Sequence, residues 1–252
     1  MVKVLLSGCC GKMGTVITNL VSEFPNLEIV AGIDKFPKEE KYPVFTTPDD
    51  VNIEYDVLLD FSNISTLHKL LELTERTKKP LVICSTGYNQ DDLNLINEKS
   101  KTLPLFKSAN MSLGINMLLK LLQDAAKILA PAGFDVEIVE KHHNKKVDAP
   151  SGTALALADS IKEVLGEDYY YKYDRSQERA ARDPKEIGIS AVRGGTIVGV
   201  HDVIFAGEDE VIEFTHTAYS KSVFAKGAIE AAKFLAGKSA GMYDMGDVIA
   251  SR

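Results

Sequence analysis

Two of the five histidines in this chain stand side by side, at His142 and His143. They lie in a stretch running from Glu140 to Thr153 that also holds Lys141, Lys145 and Lys146. The whole chain carries a formal net charge of -7. A cationic cluster on an anionic protein points to a place where an anion is received. The stretch ends in Ser151-Gly152-Thr153, followed by Ala154-Leu155-Ala156-Leu157-Ala158, which reads as helix. Serine or threonine at a helix start caps it, and the N–H groups there attract carboxylate or phosphate. One segment therefore offers a proton donor, ammonium groups and an anion cradle. A solvated basic loop is the plainer alternative; the capped helix start favours the functional reading.

A second set of residues sits at the other end of the chain. Val2 to Ser7 is a short apolar run of the kind a buried parallel strand shows. Gly8-Cys9-Cys10-Gly11-Lys12-Met13-Gly14 follows, and Met13, Val16, Ile17, Leu20 and Val21 then recur at helical steps. Strand, glycine turn and helix form the context of a dinucleotide fingerprint, in which glycines let the backbone approach a pyrophosphate at the helix N-terminus. Gly8, Cys10, Gly11, Lys12, Met13 and Gly14 are the candidates for that contact. Asp34 closes the next apolar run, Leu27 to Ile33, twenty residues after Gly14. An acidic residue there bonds ribose hydroxyls; an ordinary loop aspartate is the alternative. Lys35 beside it tolerates a 2′-phosphate. Both NADH and NADPH are therefore expected, with NADH preferred but not exclusive.

The elements that carry these residues alternate. Asp56 to Ser62, Pro80 to Cys84 and Leu103 to Ser108 read as further strands, separated by helical patterns at 67–73 and 93–101. Such alternation predicts a Rossmann-type doubly wound parallel sheet over the first 110 or so residues. Ser85-Thr86-Gly87 and Ala109-Asn110-Met111-Ser112 leave strand C-terminal ends, the edge where ligands lie in such sheets. A helix follows with Ile115, Leu118, Leu119, Leu122, Ala126 and Leu129 on one stripe. Beyond it the period becomes two, at 135–138, 197–205 and 212–216, which predicts a mixed or antiparallel sheet in a second α+β domain. Glu167 to Glu186 reads as a charged, exposed excursion with a short helix. Ser222 to Leu235 is helical. The expected domains are 1–111 with 222–252 for the dinucleotide, and 112–221 for substrate and oligomerisation.

Composition narrows the field. A hydrophobic fraction of 45% and a charged fraction of 26% are ordinary for a soluble globular protein. No apolar run is long enough to cross a bilayer, the first residues lack a signal-peptide core, and the acidic balance argues against nucleic acid. Cys9, Cys10 and Cys84 make no disulfide framework and fit a reducing cytoplasm. No metal is expected: adjacent residues on a strand face opposite ways, so His142 and His143 do not converge. His68, His201 and His216 fall on helix or strand patterns and read as structural.

These motifs resemble those of the dihydrodipicolinate reductases. The match runs over nearly the whole chain and is most specific at Glu140 to Thr153, close to that family's Glu-x-His-His-x-x-Lys-x-Asp-x-Pro-Ser-Gly-Thr. Gly8 to Gly14, Asp60-Phe61-Ser62, Ser85-Thr86-Gly87, Ala109-Asn110, Arg193-Gly194-Gly195 and Gly241 to Val248 also match. The resemblance implies NAD(P)H-dependent reduction of 4-hydroxy-tetrahydrodipicolinate to tetrahydrodipicolinate, in lysine and diaminopimelate biosynthesis. It implies His142 as proton donor and Lys146 as the essential lysine. His143, Lys146, Ser151, Gly152 and Thr153 would hold the substrate carboxylates. Phe61, Ser62, Cys84, Ser85, Thr86, Ala109, Asn110 and Met111 would line the cofactor. It also implies a final helix packed on the nucleotide domain and a cytoplasmic homotetramer. Cys84 and Met111 depart from the family's usual glycine and phenylalanine.

The chemistry fits. Hydride added to a conjugated cyclic imine leaves electron density that a general acid must protonate and a cation must stabilise. Histidine can do the first near neutral pH; a lysine, with an ordinary pKa of about 10.4, suits the second. Two other readings use the same residues: a dehydrogenase of similar fold acting on an amino acid, and a non-catalytic cofactor-sensing protein.

Overall fold

The computed structural model describes residues 1–252. They form two units, one of Met1–Leu113 with Lys221–Arg252 and one of Gly114–Ser220.

The first unit is built on seven strands: β1 (Val2–Ser7), β2 (Leu27–Ile33), β3 (Val44–Phe45), β4 (Val57–Asp60), β5 (Leu81–Ile83), β6 (Pro104–Lys107) and β12 (Gly241–Tyr243). All pair in parallel, in the order β12-β6-β5-β4-β1-β2-β3. The order reverses between β1 and β4, the switch point of a doubly wound fold. Strands buried on both faces need apolar side chains at every position, and Val57–Leu59 and Leu81–Ile83 supply them. Helices α1 (Lys12–Leu20), α6 (Ser222–Leu235) and α7 (Met245–Ala250) contribute to one apolar cluster with Val4, Leu6 and Phe106. Helices α2 (Leu67–Thr77) and α3 (Gln90–Ser100) contribute to another with Leu5, Leu58 and Leu81. The alternation of β1 thus feeds two cores.

The second unit has a five-stranded sheet in the order β11-β10-β7-β9-β8. Its strands are β7 (Asp135–His142), β8 (Tyr170–Tyr173), β9 (Glu186–Arg193), β10 (Gly199–Ala206) and β11 (Val211–Ala218). β7 pairs antiparallel with β10 and parallel with β9, so the sheet is mixed. Helices α4 (Leu113–Leu129) and α5 (Gly152–Leu165) supply Leu118, Leu122, Leu157 and Ile161 to a core with Val136, Ile138, Val203 and Phe205. One expectation fails here. Tyr170–Tyr173, read as part of an exposed excursion with a short helix, is edge strand β8, paired in parallel with β9. Its tyrosines pack on neighbours such as Lys162 and each other, which a charge-dominated reading does not register.

Candidate functional site

In the first unit β1 ends in a turn that requires glycine. Gly8 has φ +77°, and a Cβ there would stand 2.6 Å from the Phe61 carbonyl oxygen. A Cβ on Gly14 would lie 2.3 Å from the Gly8 and Cys9 carbonyls. Gly11 precedes α1 without a side-chain cap, so the first-turn N–H groups at Lys12, Met13 and Gly14 have no capping acceptor. A cleft of about 630 Å³ opens at the C-terminal ends of β1, β2 and β4. Gly8, Gly11, Asp34, Lys35, Phe61 and Ser62 are among its walls. Asp34 Oδ2 accepts from Cys10 N at 3.0 Å and Oδ1 from Phe36 N at 3.0 Å, which ties the acidic residue to the turn. Cys9, Cys10 and Asp34 place three ligand-type atoms within 4.8 Å of one another. Burial pushes the Cys9 thiol far above its ordinary range, and Asp34 already serves two N–H groups. The trio therefore has the character of a packed turn, not of a built cation site.

Cys84, Ser85 and Thr86 leave β5, and Ala109, Asn110 and Met111 follow β6; none of them is on the cleft wall. Met111 is buried, and its carbonyl fills the space where Gly227 lacks a side chain. Asn110 Oδ1 accepts from Ser112 N at 2.8 Å. Ser85 Oγ donates to Asp60 Oδ2 at 2.6 Å. Asp60 is buried and also accepts from Ser62 N and Ser62 Oγ. Burial raises its pKa, against these donors.

In the second unit, strand alternation sets the geometry. The inward face of β7 runs Val136, Ile138, Glu140, His142, apolar first and polar at its end. Lys141 points the other way, to Asp202 Oδ2 at 2.7 Å. Glu140 is fully buried. Its Oε2 lies 2.6 Å from His142 Nδ1 and accepts from Arg193 Nη1 at 2.7 Å. Its Oε1 accepts from Arg193 Nη2 at 2.6 Å and from Ser151 N at 2.9 Å. Burial raises the Glu140 pKa, but the guanidinium, His142 and the Ser151 N–H outweigh it, and the net shift is downward. A Cβ on Gly199 would be 3.1 Å from His142 Nε2, so the glycine leaves room for the ring.

Ser151 caps α5, its Oγ accepting from Ala154 N at 3.1 Å. Gly152 and Thr153 form the first turn. The loop between β7 and α5 is held by Gly194 N donating to the His142 carbonyl and Asn144 N donating to the Gly195 carbonyl. In it Lys146 Nζ pairs with Asp148 Oδ2 at 2.8 Å, and that lysine holds the Asp148 carboxyl below its usual range. His143 Nδ1 is buried with no partner.

Two family models span the chain and meet near residue 113, the second also taking in 221–249, which fold with the first unit. One described as dihydrodipicolinate reductase, N-terminus, matches residues 2–111, and one described as dihydrodipicolinate reductase, C-terminus, matches 114–249. The chain belongs to the dihydrodipicolinate reductase family. The 4-hydroxy-tetrahydrodipicolinate reductase of Clostridium botulinum is 59% identical over 99% of this chain and 98% of its own. That of Clostridium perfringens is 54% identical over 99% and 98%. Among solved structures, the dipicolinate-bound dihydrodipicolinate reductase from Paenisporosarcina sp. TG-14 superposes with a TM-score of 0.77 at 27% identity, covering 97% of each chain. A probable dehydrogenase from Thermotoga maritima, 13% identical over 99% of this chain and 93% of its own, shares the fold, with a TM-score of 0.61. Dihydrodipicolinate reductases are NAD(P)H-dependent oxidoreductases whose N-terminal domain is the nucleotide-binding one.

Within this family frame, the structure adds residues that motif reading did not assign. Arg193 and Glu140 were visible only as matched letters, and Asp60 only as part of a tripeptide. His201, read as a structural strand residue, lies at the polar end with His142, ring centroids 5.1 Å apart and edge to face. The register β7–β10 sets His201 opposite Glu140. No local pattern carries that pairing. No helix of the chain is long and apolar enough to cross a membrane.

Proposed function

We propose that this chain reduces 4-hydroxy-tetrahydrodipicolinate to tetrahydrodipicolinate, with NADH or NADPH, in lysine and diaminopimelate biosynthesis. The observation that carries the reading is His142. Its Nδ1 is engaged by a buried, charge-balanced carboxylate and its Nε2 is turned toward Gly199, where the missing side chain leaves room. It stands in a loop bearing Lys146, within a chain 59% identical to a named reductase.

The first unit fits a dinucleotide. At Gly8 and Gly14 a Cβ would meet backbone, and their absence lets the turn fold tightly at the start of α1. Gly8, Cys10, Gly11, Lys12, Met13 and Gly14 are the pyrophosphate residues in this reading, Asp34 and Lys35 the ribose residues. Phe61, Ser62, Cys84, Ser85, Thr86, Ala109, Asn110 and Met111 form the strand-end surface toward the nicotinamide. The 4-hydroxyl leaves as water, and NAD(P)H, when bound, supplies the hydride to the conjugated imine that results. His142 holds the proton on Nε2 and releases it to the substrate carbon that gains electron density. Lys146 stabilises developing negative charge. Gly152 and Thr153 present the α5 N-terminus, and His143 an unpartnered ring nitrogen, to a substrate carboxylate. Ser151 contributes by capping, since its polar groups are already engaged. The dicarboxylate nature of the substrate is supported by the dipicolinate bound to the Paenisporosarcina reductase. A homotetramer in the cytoplasm, with the second unit as the oligomerisation and substrate domain, completes the proposal on the family resemblance; light scattering tests the assembly.

The test of the reaction is steady-state oxidation of NAD(P)H that depends on freshly generated 4-hydroxy-tetrahydrodipicolinate. His142→Gln should lower kcat by about 10²-fold or more, and Lys146→Ala should lower it while NADH binding survives. Wild-type protein without substrate-dependent oxidation, or both variants at full rate, overturns the assignment. Substrate-dependent oxidation also separates a reductase from a cofactor sensor, and an amino-acid substrate panel separates it from other dehydrogenases.

A further inference from the structure

Arg193 commits its guanidinium to partners within the second unit. Its two terminal nitrogens make four hydrogen bonds: Nη1 to Glu140 Oε2 at 2.7 Å and to the Val192 carbonyl at 2.8 Å, Nη2 to Glu140 Oε1 at 2.6 Å and to the Asp148 carbonyl at 2.7 Å. Every terminal N–H is used. The fork closes on a carboxylate that also takes the Ser151 N–H and stands against His142 Nδ1. The second limb reaches the main chain of Asp148, the residue whose carboxylate pairs with Lys146. One guanidinium therefore backs both the histidine and the lysine loop. We propose that Arg193 is a positioning residue for the reduction, locking Glu140 behind His142 and the Asp148 main chain behind Lys146, so that the transferable proton resides on His142 Nε2. The proposal rests on His142 being the proton donor.

Charge balance explains why an arginine is needed. A fully buried carboxylate with one histidine partner would hold the imidazolium too firmly to give its proton away. The guanidinium neutralises that carboxylate first, and the carboxylate can then fix the ring's orientation and tautomer without trapping the proton. The other groups near His142 are His201 from β10, edge-on and bonded to Ser151, and His216, opposite His201 on β11; Lys146 and Asp148 belong to the loop. His201 stands opposite Glu140 in the β7–β10 register and feels its charge, but the hydrogen bonds to the Glu140 carboxylate come from Arg193, Ser151 N and the His142 ring. A lysine at 193 would keep the charge but not the planar fork.

The experiment compares Arg193→Met, Arg193→Lys and Glu140→Gln with wild type. Imidazole nitrogen NMR of the protein without nucleotide or substrate reads the His142 tautomer. Wild type should show one neutral tautomer with the proton on Nδ1, facing Glu140, and Glu140→Gln should mix the tautomers. The kcat pH profile supplies the second readout. Arg193→Met leaves the Glu140 charge to His142 alone, so the loss of turnover at high pH should move upward by about one pH unit. Glu140→Gln leaves a bare guanidinium near the ring, so the same limb should move downward. Arg193→Lys should restore the wild-type limb, yet raise KM for the substrate about 10-fold or more because the Asp148 anchor is lost. NADH affinity should be unchanged in all three. If Arg193→Met does not fold, the other two variants still separate the roles: Arg193→Lys keeps the wild-type limb with a raised KM, whereas Glu140→Gln moves the limb downward. Limbs that move together or not at all, alongside lower urea midpoints, would mean a mere structural brace and overturn the proposal. An active His142→Gln would overturn it together with the acid assignment. An inactive His142→Gln with unmoved limbs overturns the role of Arg193 alone.

Discussion

Ser151 Oγ and His201 Nε2 lie 2.9 Å apart, joining the cap of α5 to strand β10. Burial lowers the His201 pKa to about 4, with the nearby His142 charge adding to the effect. An unfolded histidine takes its proton near pH 6.5, as a general value of about that size. The unfolded chain is thus protonated first as the medium is acidified. The stability this neutral ring contributes is fully present above about pH 6.5, falls as pH drops through the window, and is exhausted only below about 4. His201→Asn should flatten the pH dependence of unfolding between pH 7 and 5 by up to about 1.4 kcal/mol per pH unit. Urea melts at several pH values read this directly; parallel curves for variant and wild type would contradict it.

Gly8→Ala tests the turn. The added methyl meets the Phe61 carbonyl at 2.6 Å, and φ is +77°. Gly133, with φ +93° and no atom within 4 Å of a built Cβ, is the control. Gly133→Ala should cost only backbone strain, about 1–2 kcal/mol, and leave NADH binding intact. Gly8→Ala should weaken NADH by about tenfold or more, a change of roughly 1.4 kcal/mol, because the Phe61–Ser62 wall of the cleft has to move. Fluorescence titration with NADH decides; equal effects of the two variants would remove the turn from the cofactor site.

The proposed ribose site makes cofactor choice depend on Asp34 and Lys35. Each Asp34 oxygen accepts one backbone N–H and keeps a lone pair for a ribose hydroxyl. NADH should be preferred, with NADPH also accepted. Asp34→Ala should weaken NADH more than NADPH, and by loosening the Cys10 N–H it should weaken both. Lys35→Ala should do the reverse to the ratio. The comparison is kcat/KM for both cofactors at one ionic strength, since a like charge against a 2′-phosphate is screened by salt. An unchanged ratio in Asp34→Ala would take that residue off the ribose.

Much of the first unit was readable without coordinates, for a physical reason. Strands buried on both faces, such as Val57–Asp60 and Leu81–Ile83, announce themselves as apolar runs ended by small polar residues. Val44–Phe45 and Gly241–Tyr243 are too short to show any period. Tyr170–Tyr173 was obscured because an edge strand among charged residues has no clean alternation. His142 and Lys146 stand out as candidates by type and spacing, and the family resemblance supplies their proposed roles. Their supports do not stand out: Arg193 reaches Glu140 across 53 positions, and His201 reaches Ser151 across 50. Those contacts come from the registers β7–β9 and β7–β10, and register is a property of pairing between distant segments.

The chain order of the first unit has a consequence for synthesis. Its sheet takes β12 as a neighbour of β6, and α6 supplies Ala225, Ala228, Ile229 and Leu235 to the core that holds Val4 and Leu6. The ribosome delivers the whole of Gly114–Ser220 before either element emerges. The later unit in the numbering is therefore the earlier one to have all its parts, while β1 to β6 wait with one apolar face covered by α1 but lacking α6 and α7. During that interval the nascent nucleotide half is the portion exposed to proteases and to chaperones that bind apolar surface. Limited proteolysis of stalled nascent chains would show protection of 114–220 first, and of 1–113 only after residues beyond 235 have cleared the exit tunnel.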